Sequence, residues 1–294
     1  MEENYTHLKI EDKLFPPKIT LNSRGKLLLL DDPWVMGIIN ITPNSFYSES
    51  RFSKENINSA VKRAESMVLS GAKIIDIGGY SSRPGADEVS EEEELMRVTP
   101  LICAIKKEIP QALISVDTFR SRVAKEAVEA GADMVNDISG GALDAEMISV
   151  VGRLDVPYIC MHMRGNPKTM NTFTSYENLE NEILAYFNQK MKACVKAGIK
   201  DVIIDPGLGF SKTLAQNYRI LKNLSYFNTI NAPILIGLSR KSMIYQLLGI
   251  TQDEALNGTT ALNMVALMNG ANILRVHDVK EAVETVKLFK QLNA

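Results

Sequence analysis

The sequence predicts an α/β fold, a closed (β/α)8 barrel of the TIM type carrying a short N-terminal hairpin extension. Three observations lead there. First, one phrase recurs: "SGAKIIDIGG", "AGADMVNDISGG", "AGIKDVIIDPG" and "NGANILRVHD" each pass from a glycine (Gly71, Gly131, Gly198, Gly270) through a short apolar strand to a polar residue. Such a glycine ends the preceding helix in a left-handed cap. The phrases recur at roughly 60–70 residues, about twice a β-α unit of ~30, so another strand belongs between each pair. Second, those strands are present: "VMGIIN" from Val35, "LISVD" from Leu113, "YICMH" from Tyr158 and "ILIGLS" from Ile234. Continuously apolar strands of this kind are buried on both faces of a parallel sheet. Third, helical spacing separates them, as in Ile57, Ala60, Val61, Ala64, Met67, Val68 and again in Ile183, Leu184, Phe187, Met191, Cys194. Eight β-α units in about 260 residues match a closed barrel; an open doubly wound sheet is the alternative topology.

Residues 1–33 form a separate extension, in which "KITLNSRGKLLLLDD" predicts a hairpin over the barrel's N-terminal mouth. Residues 34–294 form the barrel. Ser90 with Glu93, and Asp278 with Glu281, have the spacing of capping boxes. Glu91 to Glu94 read as the solvated first turn of a helix, where carboxylates suit the dipole.

The 294 residues are 45% hydrophobic and 23% charged, with a net charge of −2. This is ordinary globular composition, without the basic or acidic blocks that favour nucleic acid or membrane surfaces. The start, "MEENYTHLKIEDK", has no apolar core of a secretion signal, and no apolar run approaches membrane-spanning length. Cys103, Cys160 and Cys194 are widely spaced in apolar contexts and read as reduced core residues of a cytoplasmic protein.

The stretch "IIDPGLGFSKT" invites a phosphate-loop reading, but G-x-x-x-x-G-K-[ST] fails at both glycines, where Pro206 and Ser211 stand. Its informative residue is Asp205, at the end of a buried strand. In such barrels the reacting groups sit at the C-terminal strand ends. There the sequence places Asn40, Asp76, Asp117, Asn136 with Asp137, His162, Asp205, Arg240 with Lys241, and Arg275 with His277. One polar residue at a strand end caps a helix or meets solvent. A polar group at the end of all eight strands points to a ligand, because unpaired buried charges are costly. Carboxylates beside Asn suit a fork of N–H donors, such as an amino-pyrimidinone ring. Arg275 and His277, two apart on one strand, share a face and suit a phosphate or diphosphate. Lys241 suits a ring carbonyl or nitrogen. His7 and His162 read as structural.

Seven stretches in order, "MGIINITPNSF", "DIGGYSSRPGA", "SVDTFR", "VNDISGG", "DPGLGFSKT", "LSRKS" and "RVHD", resemble the dihydropteroate synthase family from about Trp34 to the C-terminus. The resemblance implies a transferase condensing 6-hydroxymethyl-7,8-dihydropterin diphosphate with 4-aminobenzoate to 7,8-dihydropteroate and diphosphate. It implies a homodimer and Mg²⁺. Asp117, Asn136, Asp205 and Lys241 would hold the pterin, with Asp76 supporting them inside the barrel. Asn40, Arg275 and His277 would hold the diphosphate, with Ser82 and Arg83 assisting, and Asn40 would be the metal ligand. Phe46, Pro84 and Phe210 would wall the aminobenzoate, and Ser242 would receive its carboxylate. Lys241, Arg275, His277 and Arg83 are the groups expected to act in catalysis.

The chain departs from the family's wording in two loops. "TPNSFYSES" stands where "TPDSFSDGG" is usual, so Asn44 and Ser48 replace aspartates, leaving Glu49 as the neighbouring carboxylate. Tyr80 and Ser82 replace Glu and Thr of the second loop. Two other readings share the pterin-facing residues. A corrinoid-dependent methyltransferase would not need the "SRKS" and "RVHD" cations. A pterin-binding paralogue without catalysis would fail to incorporate aminobenzoate.

Overall fold

The computed structural model describes residues 19–41, 54–80 and 88–293. The chain begins there with β1 (Ile19–Ser23) and β2 (Lys26–Leu30), paired antiparallel across Arg24-Gly25. Both turn residues have positive φ, 51° and 83°, the conformation that lets a two-residue turn follow the strands' twist.

Eight parallel strands follow: β3 (Trp34–Asn40), β4 (Ile74–Gly78), β5 (Leu113–Asp117), β6 (Met134–Asp137), β7 (Tyr158–Met161), β8 (Val202–Asp205), β9 (Leu235–Ile236) and β10 (Ile273–Val276). The ladder runs β8-β7-β6-β5-β4-β3-β10-β9. A parallel bridge between Ile204 and Ile234 joins its two ends, and the Ile204 amide donates to the Pro233 carbonyl at 2.9 Å. That bridge makes the sheet a barrel and excludes the open doubly wound alternative. The helices are α1 (Lys54–Leu69), α2 (Glu91–Glu108), α3 (Ser121–Glu129), α4 (Met147–Leu154), α5 (Leu179–Ala197), α6 (Leu214–Lys222), α7 (Ser242–Leu248), α8 (Leu256–Met268) and α9 (Val279–Leu292). The four repeat glycines all have positive φ after their helices.

Strand alternation divides the interior in two. Outward residues such as Ile75, Ile77, Ile114, Val116, Val135 and Ile204 pack under the helices. Inward residues Met36, Ile74, Leu113, Met134, Ile159, Ile203, Leu235 and Ile273 fill the N-terminal half of the barrel, and Leu21, Leu28 and Leu30 of the hairpin close over them. The hairpin is pinned by the Ser23 hydroxyl donating to the Asp133 carbonyl (2.8 Å) and the Arg24 amide donating to the Asp155 carbonyl (2.7 Å). Two residues further along five of the strands the same inward parity turns polar: Ile74 is followed by Asp76, Leu113 by Ser115 and Asp117, Met134 by Asn136, Ile203 by Asp205, and Ile273 by Arg275 and His277. One barrel thus has a plugged apolar base and a polar mouth.

Local expectations needed correction. Ser90 does cap α2, its Oγ accepting from the Glu93 amide at 3.1 Å, but Glu93 turns to Arg97 instead of back to the cap. Asp278 makes no side-chain cap of α9, because Arg240 takes its carboxylate. Among the described residues a reciprocal box is formed instead by Thr213 with Gln216 at α6. Glu94 is not solvated; it is buried and paired with Arg120. Cys160 and Cys194 are buried, but Cys103 is exposed, sharing the outer face of α2 with Met96 and Lys107. All three are free thiols.

Candidate active site

A cavity of about 380 Å³ opens at the polar mouth, and Asn40, Asp117, Phe210, Lys241, Ser242, Arg275 and His277 all reach its wall. Asn136 and Asp205 lie buried on the neighbouring strands and join the site through hydrogen-bonded partners. Phe46, Ser82, Arg83 and Pro84, with Ser48 and Glu49, lie outside the described residues.

The barrel floor is a charged network. Arg275 on β10 donates from Nε to Asp76 Oδ2 at 2.6 Å and from Nη2 to Asp117 Oδ2. Asp76 is fully buried and also accepts from Asn136 Nδ2 at 3.2 Å. With its amino group turned to Asp76, Asn136 is left with its carbonyl oxygen as an acceptor for a ligand. Among the described residues the buried Ser115 hydroxyl, on Asp76's neighbour in the β4–β5 ladder, has no partner. Burial pushes the Asp117 carboxyl up to about 7, against the lowering pull of Arg275.

The loop after β8 explains "DPGLGFSKT". Asp205 Oδ1 accepts from the Gly207 amide at 2.7 Å, tightening the turn. At Gly207, with φ +71°, an added Cβ would fall 2.2 Å from the His162 carbonyl oxygen, so only glycine fits. The Lys241 ammonium donates to the Leu208 carbonyl and lies 4.7 Å from the Phe210 ring centroid, a cation–π distance. Burial pushes Lys241 down to about 8, opposed by Asp205, and pushes Asp205 up. Lys212 is buried and donates to the carbonyls of Gly207 and Phe210, both at 3.0 Å. Burial pushes it down to about 7.

Among the described residues the rim holds Arg240 in an ion pair, so it is not the free cation that the strand-end reading implied. Arg240 has φ 54° and is held by Asp278 through two 2.9 Å bonds and by the Asp253 carbonyl at 2.6 Å. It clamps the loop that presents Lys241 and Ser242. His277 places Nδ1 3.1 Å from Ser239 Oγ. Asp137 faces outward from the barrel and is fully engaged by Ser139, Gly141 and Tyr158, so it anchors a turn. His162 is buried, as expected of a structural residue, and its Nδ1 meets Lys212 Nζ at 3.1 Å.

Tyr80, noted in the sequence only as a departure in the second loop, also lines the cavity, as do Met170, Ser239, Tyr245 and Gln252, to which the sequence assigned no role. Ser239 lies within the quoted "LSRKS", where its strand-end position was a usable signal. Met170 comes from a short 3-10 turn between β7 and α5, where no periodic pattern marks it.

Residues 36–277 match the pterin binding enzyme family. The dihydropteroate synthase of Escherichia coli K12 is 44% identical over 276 residues, spanning 92% of this chain and 95% of its own length. That of Synechocystis is 41% identical, spanning 95% and 96%. The structure of Yersinia pestis dihydropteroate synthase with a sulfonamide drug complex superposes with a TM-score of 0.87 at 40% identity, covering 94% of this chain and 99% of that one. Xanthomonas albilineans dihydropteroate synthase with 4-aminobenzoic acid gives 0.86 at 35% identity, covering 95% and 99%. By sequence over nearly its whole length, by barrel topology and by the polar mouth just described, the chain belongs to the pterin-binding enzymes, as a member of the dihydropteroate synthase family.

Proposed function

We propose that this site condenses 6-hydroxymethyl-7,8-dihydropterin diphosphate with 4-aminobenzoate, releasing 7,8-dihydropteroate and diphosphate. The observation that carries the assignment of roles is the juxtaposition of three acceptors, the buried Asn136 and Asp205 and the cavity-facing Asp117, with Arg275 on β10 and His277 just past its end. The carboxylates and the Asn136 carbonyl take the N–H groups of the pterin. Lys241 leaves the Leu208 carbonyl and donates to the ring. Phe210 walls the second substrate, and Ser242, the first residue of α7, receives its carboxylate.

The reacting bond joins the exocyclic methylene to a diphosphate oxygen. The arylamine nitrogen forms the new bond, the C–O pair leaves with diphosphate, and the amine proton passes to solvent. An arylamine is neutral at pH 7, so no strong base is needed. Arg275 and His277 stabilise charge on the leaving group, where preorganised donors are most effective. The residues fit Mg²⁺: it takes few protein oxygens and keeps water and substrate phosphates, and Asn40 brings one amide oxygen to the cavity. Bound there, the ion would neutralise diphosphate charge. Ser82, Arg83, Phe46 and Pro84 complete the assignment by resemblance.

A homodimer belongs to the same reading; Leu247, Leu248 and Met268, exposed on α7 and α8, supply apolar surface for it. Free thiols suit a cytoplasmic setting, and no described helix is long and apolar enough to cross a membrane. The test is incorporation of labelled 4-aminobenzoate into dihydropteroate, dependent on the pterin diphosphate and on Mg²⁺. Absence of product with both substrates and Mg²⁺ present would leave a pterin-binding paralogue.

A further inference from the structure

Lys212 sits directly behind the residues that face the substrates. Its side chain is almost fully buried, with 8% of its surface exposed. Its ammonium has three N–H donors and no acceptor, and it has three partners: the Gly207 carbonyl (3.0 Å), the Phe210 carbonyl (3.0 Å) and His162 Nδ1 (3.1 Å). To accept at Nδ1, His162 must be neutral with its proton on Nε2. Burial keeps it so, with the Lys212 and Arg164 charges adding to the effect. Its ring is held edge-on by Tyr186, centroids 4.9 Å apart.

A second tie runs beside the first. Ser211, at φ 50°, accepts from the Arg164 amide and donates to the Arg164 carbonyl, each at 2.8 Å. The loop carrying Gly207 to Phe210 is therefore fastened to the end of β7 by two adjacent side chains. From the cavity side Lys241 holds the same loop at the Leu208 carbonyl. The two lysines differ in what a substrate does to them. Lys241 faces the cavity and must release Leu208 to serve a ring, whereas Lys212 faces inward and has nothing to exchange for.

We propose that Lys212, seated on His162, is a positioning residue that holds the Phe210 loop in its binding geometry after Lys241 has turned to the pterin. The inference rests on the reading of Phe210 as a wall of the aminobenzoate site. It predicts a specific asymmetry. Losing Lys212 affects the second substrate, which meets the loop, more than the pterin, which meets Asp117, Asn136 and Asp205.

Lys212→Met keeps the length of the chain and leaves both carbonyls without a donor. The expected result is a KM for 4-aminobenzoate raised by roughly tenfold or more, with pterin affinity by calorimetry within about threefold, as misplacement of a positioning group allows. Hydrogen exchange on the ligand-free protein gives a readout that needs no assigned substrate. The amides of Gly207, Gly209 and Phe210, bonded to Asp205, Asn217 and Gly207 respectively, should exchange roughly tenfold faster while the β1–β2 hairpin is unchanged, the mark of local opening. Should Lys212→Met not fold, a second pair decides. His162→Leu removes the seat and should show the same split, and His162→Gln, which restores an acceptor, should reverse it. Equal losses for both substrates, or parent-like exchange at the three amides, overturn the proposal. If the parent forms no dihydropteroate the functional reading fails by itself, and the exchange comparison still decides whether Lys212 holds the loop.

Discussion

Arg275 Nε lies 2.6 Å from Asp76 Oδ2, while the same guanidinium reaches Asp117 through Nη2. The strand-end cation therefore starts from inside the barrel, paired to one carboxylate that is wholly buried and to one that opens on the cavity. In the proposed complex Asp117 exchanges part of this pair for pterin N–H groups, which leaves Asp76 to hold Arg275. Asp76→Ala strips that anchor and the acceptor of Asn136. We expect a stability loss of about 3–5 kcal/mol, the usual cost of breaking a buried pair, read by urea denaturation, together with weakened pterin binding. A loss under about 1 kcal/mol would show that Arg275 finds another seat without cost.

Asp117 gives the binding a pH dependence. Burial raises its carboxyl to about 7 in the folded protein, from 3.8 in its absence. Between those values the folded state keeps a proton that the unfolded chain has released, so this group's contribution to stability falls as pH rises through the window. In the proposed complex ligand binding runs the other way, because the pterin's donors would need the ionised carboxylate. Pterin affinity measured by calorimetry should tighten by roughly tenfold from pH 6 to pH 8, about one proton per site. Asp117→Asn should bind weakly at both, since an amide cannot accept from both N–H groups, and Asp205→Asn should also lose affinity. Equal affinity at both pH values in the parent would mean that Arg275 keeps Asp117 ionised throughout.

The diphosphate side separates by ligand. His277→Ala should weaken the pterin diphosphate far more than hydroxymethyl-pterin, a lost charge-assisted contact costing roughly 1.5–3 kcal/mol, whereas Arg275→Ala also leaves the buried Asp76 unpaired and should weaken both ligands. Competition binding with the two ligands reads this directly. An equal loss for both ligands in His277→Ala would place that side chain on the ring instead.

Much of this was legible because barrel parity is a property of sequence. Ile273, Arg275 and His277 share a face whatever surrounds them, as do Leu113, Ser115 and Asp117. The repeating glycine phrase likewise set the element count, and "KLLLLDD" marked the hairpin. Long-range partners were not legible. Nothing local distinguishes Glu94, buried against Arg120, from the three glutamates before it. Asp278 has the spacing of a cap and is taken instead by Arg240, 38 residues earlier in the chain. Lys212 looked like part of a failed phosphate loop, and only the fold brings it to His162, 50 residues earlier.

The Arg240–Asp278 pair yields the last prediction. Arg240 has φ 54°, a left-handed conformation uncommon for a residue with a long side chain. It is held there by Asp278 at two points, by the Asp253 carbonyl, and through its own amide by Thr259 Oγ1 at 3.0 Å. The next two residues are Lys241 and Ser242, both on the cavity wall. Asp278→Ala removes the bidentate partner and leaves the strained conformation with less to hold it. We expect about 2 kcal/mol of lost stability, in the range for hydrogen bonds to charged groups. A KM for aminobenzoate raised about five- to tenfold should accompany it, because Ser242 loses its fixed start at α7. Arg240→Gly separates the two causes. Glycine adopts the left-handed conformation without cost but cannot make the clamp. If Arg240→Gly keeps the parent KM while Asp278→Ala raises it, relief of backbone strain is what matters; if both raise it, the clamp positions Ser242. Steady-state kinetics on the two variants, each checked by thermal melting, decide between them.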